Sequence, residues 1–190
     1  GVGNLLGEGQ SGHIAAVGYD LYMQMVTETV AELKGEEVRE PAEIKLDIDT
    51  NAHLPRDYVS REDLRLEAYR RLATVTNPSD VDDIATEWND RFGPPPPPAA
   101  ALLTIGRLRG ECAVRGIREL TVARNIARIS PIDLPASKQV RLQRLHPKAV
   151  FKEELRQLVI PVPPKQDSSE FLIELIVDLV PIDEAPSVGS

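Results

Sequence analysis

Three things are scarce in this 190-residue chain, and each scarcity excludes a class of function. There is one cysteine, Cys112, so no internal disulfide can form, and a reducing, cytoplasmic setting is expected. The three histidines, His13, His53 and His146, stand in separate segments, and none neighbours Cys112. That pattern offers no zinc or other metal site. No run of eighteen apolar residues occurs, so no spanning helix and no membrane partner are expected. The chain opens on Gly1 with no basic-then-apolar leader, so no secretory signal is expected. The opening GVGNLLG reads instead as the start of a fragment cut from something longer.

Reaction motifs are scarce too. No serine stands in a GxSxG elbow and no GxxxxGK[ST] cradles a phosphate. Residues 7–12 spell GxGxxG, but only six residues precede them and no strand is among those. A dinucleotide site needs that strand, so the reading fails. Cys112 falls on the apolar side of an expected helix and reads as core filler. No reaction follows from the residues alone.

What is present suffices for one sizeable domain with an appendage: 42% of residues are hydrophobic and 27% charged. Charge is unevenly spread around the net −8. Residues 1–95 hold nine Lys/Arg against nineteen Asp/Glu. Residues 99–152 reverse this, with eleven basic groups against three acids, Glu111, Glu119 and Asp133. The tail 153–190 is acidic again, with two basic groups against eight acids. The overall balance argues against a dedicated DNA-binding domain. The basic middle is read first as a solvated face paired with the acidic flanks, and second as a nucleic-acid patch.

The glycine-rich residues 1–12 predict a loop, and Ser11 an N-cap for a long helix running to about Lys34. Ile14, Val17 and Leu21 form one stripe of it, continued by Met25, Val26, Val30 and Leu33. Residues 43–49 alternate Ile44, Leu46 and Ile48 with charged groups, the period of a half-buried strand. Residues 53–59 read as an extended entry segment, because Pro55 biases Leu54 away from helix. A second helix starts at Ser60, with Ser60 and Asp63 as a capping box. A third, capped by Ser79 or Asp80, runs to Phe92 with Val81, Ile84 and Trp88 inward. Gly93 closes it.

Pro94 to Pro98 form a stiff spacer, read as fixing the angle between two packed helices rather than as a ligand for an aromatic groove. Residues 99–115 are the fourth helix, stopped by Gly116. Beyond it, residues 120–123 and 127–130 predict a hairpin turning near Arg124-Asn125. Residues 140–145 fit a strand or a short helix, and 153–158 a helical turn. Residues 159–162 fit an edge strand ended by prolines, and 171–180 a buried helix. The fold class is therefore α+β: a long N-terminal helix, then a compact domain of helices packed on a small sheet. The expected divisions are 1–35, 36–182 and a loose tail at 183–190.

Glu87 and Asp90 share one face of the third helix at i,i+3 spacing. They read either as a solvated face with an intrahelical Glu87–Arg91 pair, or as an acidic docking surface for a basic partner. The residues alone leave both open.

The opening GVGNLLGEGQSGH resembles the segment just after the last helicase motif of bacterial transcription-repair coupling factors, whose pattern is roughly RGxGxLLGxxQSG. RecG-type helicases carry a looser version. Glu87-Trp88-Asn89-Asp90-Arg91-Phe92-Gly93 is similar to the ExxDRFG of the coupling factors' C-terminal domain. The strand at 43–48, followed by Leu54-Pro55 and a helix, fits as well. Together these cover nearly the whole chain and favour the coupling factors. The chain departs from the pattern at Gly9, often acidic there, and in its five consecutive prolines.

The resemblance implies a piece of an ATP-dependent double-stranded DNA translocase that displaces stalled RNA polymerase and recruits UvrA. It implies that Gln10, with Gly7 and Gly12, belongs to the translocation motif that couples ATP hydrolysis to movement. It implies that the remainder is a regulatory domain packing on the protein's own N-terminal UvrB-like module and masking the UvrA-binding surface, with Glu87 and Asp90 at that contact. ATP and Mg would belong to the full-length protein; the fragment itself is expected to bind no cofactor and to lack ATPase activity. Its N-terminal helix, separated from a motor, is expected to drive self-association through its apolar stripe.

Overall fold

A computed structural model describes residues 44–182 of the protein. The expected N-terminal loop and helix and the expected tail 183–190 lie outside the described residues.

The alternating residues form strand β1 (Lys45–Ile48), with Leu46 and Ile48 buried and Lys45 and Asp47 exposed. The next segment is less extended than expected. After Pro55 the chain coils, with Tyr58 and Val59 both donating their amides to the Pro55 carbonyl, at 3.1 and 3.0 Å. Helix α1 (Glu62–Ala73) follows, but its capping box does not form. Arg61 takes the N-cap place, and its guanidinium grips both Asp63 oxygens at 3.1 and 2.7 Å. A charged fork outcompetes a backbone amide for that short carboxylate.

Helix α2 (Pro78–Phe92) starts earlier than expected, because Asn77 is the cap and accepts from the Asp80 amide at 3.1 Å. Pro78 fits the first turn, where its missing N–H costs nothing. Helix α3 (Pro97–Arg115) likewise takes in the last two prolines of the run, which leaves only Pro94 to Pro96 as connector. The run joins two helices that pack on each other, with Gly93 at φ 88° and Gly116 at φ 74° ending them. Both angles lie where only glycine is at ease.

The hairpin is β2 (Glu119–Ala123) and β3 (Ile126–Ser130), with Arg124 and Asn125 both at positive φ in the two-residue turn. Residues 140–145 prove helical, as part of α4 (Ala136–Leu145). Strand β4 (Val150–Lys152) was not anticipated, and the helical turn after it is only Glu153–Leu155. Strand β5 (Gln157–Pro161) corrects the expected edge strand: it lies between β3 and β4. Pro161 is its last residue, and the next amide, that of Val162, still donates to the Asn125 carbonyl at 2.8 Å. Helix α5 (Ser168–Leu179) is capped by Asp167, whose carboxylate accepts from Ser169 and Glu170 at 2.8 and 3.2 Å.

The architecture is the expected α+β class. Five strands run in the order β1-β2-β3-β5-β4, with β1 parallel to β2 and the other pairs antiparallel. The crossover from β1 to β2 contains α1, α2 and α3. Register aligns Leu46 with Leu120, Leu120 with Ile129 and Ile129 with Leu158, all buried on one face. The opposite face carries exposed Asp47, Glu119 and Arg128. Helix α3 lies at the centre of the core, with α2 and α5 both packed on it.

Candidate interaction site on helix α2

Helix α2 buries Val81, Ile84 and Trp88, at 0, 2 and 1% exposure. Its other side is acidic, and the structure sorts those acids by occupation. The Asp80 carboxylate accepts from the Thr76 amide at 3.2 Å. Asp82 pairs with Arg107 of α3 at 2.9 Å. Glu87 is held by Arg71 of α1 and, at 3.6 Å, by Arg91 one turn on. The expected intrahelical pair therefore exists, and Arg71 joins it from another element. Asp83 and Asp90 are exposed and make no ion pair or side-chain hydrogen bond among the described residues.

The seven residues from Glu87 to Gly93 can be read one by one. Trp88 fills the core. The Arg91 guanidinium lies over the Phe92 ring, 5.2 Å from its centroid. The Tyr58 ring meets Phe92 edge-on at 5.7 Å, and the Tyr58 hydroxyl donates to the Gly93 carbonyl at 2.9 Å. Gly93 turns the chain. Within the motif, only the side chains of Asn89 and Asp90 are exposed and take no part in holding the fold. Exposed side chains that neither pack nor cap are available to another molecule.

The rest of the surface offers less. Among the described residues, no group of three or more His, Cys, Asp or Glu could hold a metal ion. Burial pushes the Cys112 thiol up to about 12, so it stays protonated within the core. The basic stretch 99–152 is partly consumed internally. Arg107 pairs with Asp82, Arg141 with Asp178 at 2.7 Å, and Lys138 donates to the Asp178 carbonyl. Arg115 and Glu111 form a buried pair at 3.1 Å, and Arg115 also donates to the Val180 carbonyl. Arg109 is buried and donates to the Ile44 carbonyl at 3.3 Å. Arg118, Arg124, Arg128, Arg144, Lys148 and Lys152 remain exposed, spread from the residue before β2 through the hairpin turn, β3 and α4 to the turn before β4 and β4 itself.

Gln10, Gly7 and Gly12 lie outside the described residues. Sequence reasoning found Glu87 and Asp90 but missed Arg71, because a pairing across sixteen residues and two helices leaves no spacing signal.

Comparison with known proteins now decides the family. The model of the TRCF domain matches residues 48–142, half of the chain. The chain belongs to the TRCF domain family. A transcription-repair-coupling factor from Mycobacterium bovis is 38% identical over 199 residues, covering 95% of this chain and 16% of the relative. One from Myxococcus xanthus is 41% identical over 93 residues, covering 49% of this chain and 8% of the relative. The chain thus spans about a sixth or less of the length of these relatives. The fold is similar to the crystal structure of the C-terminal domain of transcription-repair coupling factor, with a TM-score of 0.57. That likeness is at 21% identity and covers 73% of this chain and 95% of the other. The TRCF domain match contains the whole of α1, α2 and α3, and with them the exposed acids of α2.

Proposed function

We propose that this chain is the C-terminal interaction and autoinhibitory part of an ATP-dependent DNA translocase. That translocase displaces stalled RNA polymerase and recruits nucleotide excision repair in the cytoplasm. In this reading, residues 36–182 dock on the protein's own N-terminal UvrB-like module and mask its UvrA-binding surface. Gln10, with Gly7 and Gly12, belongs to the translocation motif of the motor, where ATP and Mg are bound by other parts of the full-length protein. The glutamine amide both donates and accepts, which suits a contact that switches between motor lobes or to backbone phosphate.

One observation supports the docking surface above others. The outer face of α2 presents Asp83 and Asp90, unpaired among the described residues, beside Glu87 and within the residues that match the family. Rim contacts of this kind contribute about 0–1 kcal/mol each. Several together give a contact that holds at rest and releases on demand, and complementary charge sets its orientation.

Calorimetric titration of the chain with its own UvrB-like module, at two salt concentrations, tests this. Binding that weakens with salt and with Glu87→Lys/Asp90→Lys is the expected result. Undiminished binding by the reversed variant would overturn the assignment of the contact to α2. No binding at either salt would count against the regulatory role and turn attention to DNA binding by residues 99–152.

A further inference from the structure

We infer that Arg71 is an internal competitor for the Glu87 carboxylate, and so sets how tightly α2 docks on a cationic partner. The inference rests on the reading of α2 as a docking surface and adds a regulator to it.

Asp83, Glu87 and Asp90 lie at i, i+4 and i+7, one row along a helix. Among the described residues the outer two are unpaired and the middle one is not. Arg71 reaches Glu87 from α1, and the two side chains stay 37 and 40% exposed. Arg91 approaches the same oxygen, Oε2, at 3.6 Å, while its guanidinium is also drawn to the Phe92 ring. Arg71 is therefore the closer holder. A partner guanidinium that grips a carboxylate in a fork uses both oxygens. To grip Glu87 that way it must share Oε2 with Arg71 or displace it, and in either case it meets a carboxylate whose charge Arg71 already offsets.

Three consequences follow. Asp90 and Asp83 meet the partner without giving up an internal bond. Glu87 adds only part of its charge while Arg71 holds it. Arg71 therefore holds the contact below its full strength, and this limit is built into the packing of α1 against α2 rather than into the partner. A clamp that must open during each cycle benefits from such a limit.

The test is titration of the 190-residue chain with its own UvrB-like module, comparing wild type, Arg71→Gln, Glu87→Gln and the double variant. Arg71→Gln should tighten binding roughly two- to fivefold, the range expected for one exposed ion pair. In the Glu87→Gln background the same substitution should change little. Equal tightening in both backgrounds would overturn the competitor, since it would report only a lost positive charge near the surface. Unchanged or weaker binding by a folded Arg71→Gln would overturn it too.

Thermal unfolding followed by circular dichroism checks that fold. Arg71→Lys supplies a second variant, expected between the other two because an ammonium is a point charge without the fork. If wild type does not bind, or binds alike after Glu87→Gln/Asp90→Asn, the docking reading itself falls, and the competitor with it. Glu87-dependent binding that ignores Arg71 sinks only the competitor.

Discussion

Helices α2 and α3 lie side by side and use charge in opposite ways. Helix α3 is buried around most of its circumference, and the charges it buries are tied down. Arg109 donates to the Ile44 carbonyl, and Arg115 joins Glu111 to the Val180 carbonyl just past α5. A buried charge left without a partner costs several kcal/mol, so these groups are held to their internal partners. Helix α2 fully buries only Val81, Ile84 and Trp88 and keeps its acids off that side. There, losing a partner costs little, and a carboxylate can stay uncommitted. Charge inside α3 locks the core together, whereas charge outside α2 is available to another molecule.

The contrast can be broken most severely at the inner face of α2. Trp88→Ala removes a fully buried indole and should destabilise the fold by about 3–5 kcal/mol. Denaturant unfolding of the variant measures it, and a loss under about 1 kcal/mol would show that Trp88 does not anchor α2.

The next effect lies where α3 meets the turn before α2. A Cβ on Gly110 would stand 2.6 Å from the Asn77 carbonyl carbon and 2.7 Å from the Pro78 nitrogen, both backbone atoms. On Gly106 it would meet the end of the Leu72 side chain at 2.8 Å, which can rotate away. Gly110→Ala should therefore cost about 1–3 kcal/mol, as overpacking does, and Gly106→Ala clearly less. Equal melting temperatures for the two variants would refute this account of how closely α3 approaches the Asn77 turn.

The smallest expected effect sharpens the comparison from the outside. Asp90→Asn should leave unfolding stability within about 0.5 kcal/mol of wild type, as surface changes away from structural features do. A larger loss would mean that Asp90 holds the fold, and its place in the proposed docking surface would then lose its main support.

Legibility in the sequence followed the range of the interaction. The strand at Lys45–Ile48, the stop signals Gly93 and Gly116, the turn at Arg124-Asn125 and the apolar run inside Ser168–Leu179 could all be read from neighbours a few residues apart. Cap positions were less legible, because several polar residues stood near each helix start. Asn77 won at α2, and at α1 Arg61 drew Asp63 away. Strand β4 and the interior position of β5 were missed. A three-residue strand has almost no pattern of its own and exists through its pairing with Gln157, Leu158 and Val159.

The same division holds for the candidate site. The sequence by itself determined that Glu87 and Asp90 share a helix face, since 3.6 residues per turn decide that locally. It also carried the family likeness, which depends only on the order of residues. Tertiary structure alone decided which acids are spoken for. Arg71 and Arg107 arrive from other helices to take Glu87 and Asp82, and nothing arrives at Asp90 among the described residues. The reason is physical: a charge is neutralised by whatever packing brings within a few ångströms, and only the folded chain sets those distances.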